Sequence, residues 1–150
     1  MTKLGIVAVV TIGAMAAAQA APQCYRANEI EADQALRYQA KLMVLSDSCR
    51  SNSYSEFVVR NAGALSLYQQ QMIGFFRRHD VSRPEDALEK FLTRIANQLA
   101  LSFGNEELAS LCPRSADFLT QAVSFGKDEF RSYVAEQAAI ERHSYRTCAD

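Results

Sequence analysis

CYRANEIEADQALRYQAKLMVLSDSC, residues Cys24 to Cys49, is the stretch whose reading decides the fold. Strict alternation of apolar and polar residues is not sustained in it, and the apolar positions recur at helical spacing. It reads as one long helix that opens near Asn28, where Asn28 and Glu31 form a capping-box pattern, and runs to about Ser46. Projected at about 100° per residue, Ala32, Ala35, Leu36, Leu42 and Met43 share one face, with Asp33, Gln34, Arg37 and Lys41 opposite. Such a helix rises about 1.5 Å per residue and holds its ends roughly 30 Å apart. A disulfide needs Cα atoms within about 7 Å, so a Cys24–Cys49 bond is excluded. Cys112 and Cys148 complete a set of four cysteines, and two pairings remain. The favoured one joins Cys49 to Cys112 and Cys24 to Cys148, the second bond tying together the two ends of the mature chain.

The disulfide reading depends on compartment, and residues 1–20 supply it. Lys3 is followed by LGIVAVVTIGAMAAA, an uncharged run shorter than the ~20 residues of a membrane span. Ala18-Gln19-Ala20 then presents small residues where a signal peptidase reads, so cleavage is expected between Ala20 and Ala21. Gln23, preceding Cys24, is not the small residue that a lipidated cysteine requires. Residues 21–150 form the expected mature domain, exported and without membrane insertion, with a bacterial periplasm as the preferred location. Two disulfides are the default for four cysteines in an oxidising compartment. There is no C-x-x-C, so neither a structural zinc site nor a thioredoxin-like redox pair is indicated. Loss of the signal removes Lys3 from 16 basic residues and nothing from 17 acidic ones. The resulting slight negative charge gives no argument for nucleic acid or an anionic membrane.

The rest of the chain extends the helical pattern. Ser53 and Glu56 form a second capping box before a helix from Tyr54 to about Arg78, whose stripe is Tyr54, Phe57, Val58, Leu65, Tyr68, Met72, Phe75 and Phe76. This widest and most aromatic stripe marks it as the central helix. A third helix is capped by Ser82, carries Pro84 in its first turn, turns Leu88, Phe91, Leu92, Ile95 and Leu99 inward, and stops at Gly104, which accepts positive φ. A brief helix ended by Pro113 follows, then one from Ser115 to Phe125, then a last from Lys127 towards Cys148 with Phe130, Tyr133, Val134 and Ala138 inward. The expected fold is all-α: a disulfide-stapled bundle of five or six mostly antiparallel helices.

Two amides break the stripes. Gln39 projects among Ala35, Leu36, Leu42 and Met43, and Asn61 among Phe57, Val58 and Leu65. A buried amide must find hydrogen-bond partners. The pair either lines a polar ligand pocket, with Arg60 and Arg94 in reach, or fixes helix register. Arg77, Arg78 and His79 offer a second candidate, a patch for an anion or acidic partner, although cations also collect at a helix C-terminus because they complement its dipole. His79 and His143 have no metal-ligand spacing, and no metal or cofactor is expected. G-x-S-x-G, S-x-x-K, a P-loop and the haem-binding C-x-x-C-H are all absent from the sequence. The leading expectation is an exported binding or interaction module with an envelope protein as possible partner. A small-ligand or metal-binding bundle using a polar pocket near Gln39 and Asn61 comes second, and an enzyme with a dispersed active site third.

Overall fold

The computed structural model describes residues 23–149; the export signal expected at 1–20 lies outside them. Five α-helices follow one another through turns of two to five residues: α1 (Ala27–Ser48), α2 (Ser53–Arg78), α3 (Pro84–Gly104), α4 (Leu108–Ser124) and α5 (Lys127–Glu141), with a single 3-10 turn at Arg142–Ser144. No helix among the described residues is long and apolar enough to cross a membrane. Both favoured disulfides are present, Cys24–Cys148 and Cys49–Cys112, with Cα separations of 4.8 and 5.5 Å. The bundle is all-α and doubly stapled.

The centre belongs to α1 as much as to the aromatic α2. Eleven residues of α1 are buried, and it touches every other helix, as α2 does. Ala32, Ala35 and Ala40 are among the buried positions, and side chains this small let neighbouring backbones approach. The α2 stripe then packs as its spacing predicts, with Phe57, Leu65, Tyr68, Met72 and Phe75 buried. From α3, Leu88, Phe91 and Ile95 complete the core, as do Phe130, Val134 and Ala138 from α5.

Several local expectations are corrected. The first helix starts one residue before Asn28, with Arg26 at the cap, and the Glu29 carboxylate accepts the Arg26 N–H at 2.7 Å. Neither Ser53 nor Ser82 caps a helix; Asn52 and Arg83 stand at those positions. Instead the buried Ser46 hydroxyl of α1 accepts the Tyr54 N–H of α2 at 3.1 Å, a cap supplied across the turn. Pro113 does not divide residues 108–124, which form one helix. Proline at this position lacks the N–H for the carbonyl four residues back, and its ring crowds that carbonyl. Buried Leu111 and Ser115 on either side, and the staple at Cys112, hold the turn. The last helix ends at Glu141 rather than near Cys148. The tail must run extended to reach Cys24: Tyr25 donates to the Arg146 carbonyl at 2.8 Å, and Cys148 donates to that of Tyr25 at 3.0 Å.

Asp33, placed by projection on the polar face, is fully buried, whereas Met43 of the apolar face is 37% exposed. The reason for the first is the tail. Tyr145 hydrogen-bonds the Asp33 carboxylate, which also accepts Arg37 Nε at 2.7 Å. A helix projection carries no record of a partner 112 positions away.

Positive φ occurs at Arg50 (54°) and Asp80 (56°), and at no glycine among the described residues; Gly104 is simply the last helical residue of α3. Each of the two ends its helix in a Schellman pattern. The Ser51 N–H reaches the Ser46 carbonyl at 2.8 Å, and that of Val81 reaches Phe76 at 3.1 Å. A side chain in this conformation costs roughly 1–2 kcal/mol, against which glycine loses about 0.5–1 kcal/mol through its freer unfolded chain. Arg50→Gly is therefore expected to raise unfolding free energy by roughly 0.5–1 kcal/mol, and Asp80→Gly by less, because Asp tolerates the conformation better. Urea midpoints measure both, and a lowered midpoint for Arg50→Gly would show that its side chain contributes more than its backbone strain removes.

Candidate functional site

Four residues of α1, Gln34, Arg37, Tyr38 and Lys41, recur at the spacing i, i+3, i+4, i+7 and so share one helix face. The neighbouring helices build walls around this face without closing over it. Ile95, Gln98 and Leu99 of α3 stand on one side, and Phe118 of α4 with Tyr133, Val134 and Gln137 of α5 on the other. The enclosed cleft has a volume of about 320 Å³, near the lower end of the ~300–1,000 Å³ typical of small-molecule sites.

Its aromatic bed centres on Tyr38, whose ring lies 4.8 Å from Phe118 and 5.4 Å from Tyr133, with Phe57, Phe125 and Phe130 within 6.0 Å. The Tyr38 hydroxyl is sealed beneath this bed and has no hydrogen-bond partner. Burial pushes the Tyr38 phenol well above its usual value, with Tyr133 adding to the rise, so it stays neutral. Two cations stand over the aromatics: Lys41 Nζ is 4.6 Å from the Phe118 ring centre, and the Arg37 guanidinium 5.8 Å from that of Phe91. Arg37 is half spent on Asp33 through Nε, and Lys41 forms no ion pair among the described residues. No acidic side chain lines the cleft. Gln34 is oriented by donating to the Tyr145 hydroxyl at 2.8 Å, so the C-terminal tail braces the rim.

The structure does not bring Gln39 and Asn61 together. Gln39 Nε2 donates to the Tyr54 hydroxyl at 3.4 Å, in a separate surface cleft of about 290 Å³ shared with Leu92, Thr93 and Asn97. Asn61 is fully buried and donates to the carbonyls of Phe57 at 3.0 Å and Phe125 at 3.3 Å. Its neighbour Arg60 donates to the Val123 carbonyl. Adjacent residues of α2 thus satisfy carbonyls at the C-terminal end of α4, where the helix leaves its own acceptors open. Arg94 is exposed on α3, in a shallow depression with Glu89, Lys90 and Thr93.

Arg77, Arg78 and His79 also part company. Arg77 is exposed and lies 3.7 Å from Glu85. Arg78 turns inward to pair with buried Glu29, donates to the Cys24 carbonyl at 3.0 Å, and lies 3.7 and 3.9 Å from the sulfurs of Cys148 and Cys24. His79 packs on Phe75, ring centres 4.5 Å apart, with Nδ1 2.9 Å from the Phe75 carbonyl. His143 is exposed, with Nδ1 2.9 Å from the Ile140 carbonyl. Among the described residues no group of three or more His, Cys, Asp or Glu side chains could hold a metal ion.

Projection assigned Gln34, Arg37 and Lys41 to solvent and left Tyr38 unplaced. One signal was available: an aromatic inside a polar face, matched by Gln98 and Gln137 beside the apolar positions of their own helices.

Removing one partner of a buried pair leaves the other uncompensated, so Arg78→Met is expected to lose roughly 3 kcal/mol of stability, while Arg77→Met changes it by less than about 0.5 kcal/mol. Equal losses in chemical denaturation would contradict this division. The phenols of Tyr25, Tyr38, Tyr68, Tyr133 and Tyr145 are all raised above 10, with burial the first cause in each. The unfolded chain therefore releases these protons first. The contribution of these phenols to stability should be constant below about pH 10 and lost as pH rises beyond it. Tyr38→Phe should make that loss smaller and add about 1 kcal/mol at neutral pH by deleting an unsatisfied hydroxyl; a lower stability at neutral pH would show that the hydroxyl is bonded after all.

No protein-family model matches the chain, and neither a curated protein nor a solved structure matches it.

Proposed function

We propose that this chain is an exported binding module, delivered to an oxidising compartment such as a bacterial periplasm, that holds a small ligand in the cleft over α1. One observation carries the reading: Lys41 and Arg37 stand beside an aromatic bed and three glutamines in a cleft with no acidic residue. The more deeply placed cation Arg78 is, by contrast, paired with buried Glu29. Two disulfides and the signal-like run at 1–20 support export.

A protein-docking reading has one observation of its own. At the other end of α1, a depression of about 690 Å³ is bordered by Leu108, 57% exposed, and Met43, 37% exposed, with Phe103 and Leu111 beside them. Its natural occupant would be an apolar side chain of another envelope protein.

Native mass spectrometry of protein taken from its own envelope separates the two. The expected species is a chain starting at Ala21 that gains two hydrogens per staple on reduction, with a small non-covalent mass that leaves on denaturation. A complex with a second polypeptide and no small mass would favour docking. A chain retaining residues 1–20 would overturn the export reading.

A further inference from the structure

We propose that the ligand of the α1 cleft is a small organic anion with a flat apolar body, such as an aromatic carboxylate, its charge set against Lys41 and Arg37 and its ring against Phe118 and Tyr133. This rests on the cleft being the ligand site and adds the chemical class. Charge fixes the sign. The cleft holds two cations and no carboxylate, and Lys41 is offset only by the face of Phe118. A cation over an exposed ring gains about 0.5–1 kcal/mol, whereas a charge-assisted hydrogen bond to a carboxylate is roughly twice as strong as a neutral one. An arriving anion therefore improves on what Lys41 already has. Arg37 hydrogen-bonds Asp33 through Nε, which leaves its terminal nitrogens for a second acceptor.

Shape fixes the body. Phe118 and Tyr133 flank the Tyr38 ring, and Ile95, Leu99 and Val134 supply the aliphatic remainder. A bare inorganic anion would leave this surface wet and gain nothing from it. A volume of about 320 Å³ suits a body of one or two rings rather than a peptide or an acyl chain. Gln98 and Gln137, on opposite walls, provide neutral donors and acceptors for further polar substituents.

The test uses an isosteric pair, 2-naphthoate and 2-naphthamide, titrated into the full mature protein by calorimetry or ligand fluorescence polarisation. The expected result is that naphthoate binds at least tenfold tighter than the amide. Lys41→Gln should bring naphthoate affinity close to that of the amide. Gln98→Trp, which fills the cleft from an exposed position of α3, should abolish both without altering the circular dichroism. Equal affinities that are both lost in Gln98→Trp would overturn the anionic class and leave the cleft standing as the site. Binding that persists unchanged in Gln98→Trp would overturn the cleft itself. No binding of naphthoate at millimolar concentration would overturn the ligand class.

Discussion

Both staples begin at the ends of one helix. Cys49 follows directly on the last residue of α1, and Cys24 stands three residues before its first, so α1 is a rod pinned to α4 at one end and to the C-terminal tail at the other. Three of its eleven buried residues are alanine, and a methyl side chain buries little of the area that drives packing, about 25 cal/mol per Å². Closing two long loops supplies stability of another kind, roughly 4–5 kcal/mol each as an upper figure on the chain-entropy model. With its ends fixed, α1 can keep polar side chains on one face while its neighbours pack on the others.

The same pinning explains the polar cluster at its N-terminal end. Glu29, Asp33, Arg78 and Tyr145 come from α1, α2 and the tail, and each buried carboxylate is met by a cation and at least one further donor. Buried charge is tolerable on those terms. The clamp at Cys24–Cys148 brings Tyr145 to Asp33, and Tyr145 in turn receives the hydrogen bond from Gln34 at the rim of the cleft. The Cys24–Cys148 bond therefore reaches the candidate site through two hydrogen bonds.

The all-α class and the cysteine pairing were legible because both rest on local geometry: a helix cannot bring its own ends together. At Pro113 the local rule that proline ends a helix is overridden by tertiary context, with Leu111 and Ser115 buried on either side and Cys112 bonded to Cys49. Asp33 was misplaced for a different reason, since its partner Tyr145 is distant in sequence. Asn61 illustrates both sides. An amide on an apolar stripe signals burial, and it is buried. That its partners would be the Phe57 and Phe125 carbonyls rather than Gln39 depends on how α4 ends against α2, which no projection of α2 alone contains. The cleft was hidden likewise, because a face with arginine, lysine and glutamine looks solvated until α3 and α5 rise on either side.

The contrast between the cations argues where an anion can bind. Arg78 is the most fully engaged, and drawing it towards a ligand would leave Glu29, whose side chain is 5% accessible, unpaired. Breaking that pair costs roughly 3 kcal/mol, about a hundredfold in affinity, so the run Arg77-Arg78-His79 is weaker as an anion site than its composition suggests. Arg77 is mobile in principle but faces water, where screening leaves an ion pair worth about 0–1 kcal/mol. Lys41 is exposed but stands over the Phe118 ring at the cleft and has no carboxylate to give up. Binding strength at a cation depends on what the cation must release as much as on its charge. By that measure the α1 cleft, and not the basic run at the end of α2, is where this fold can receive a negative group.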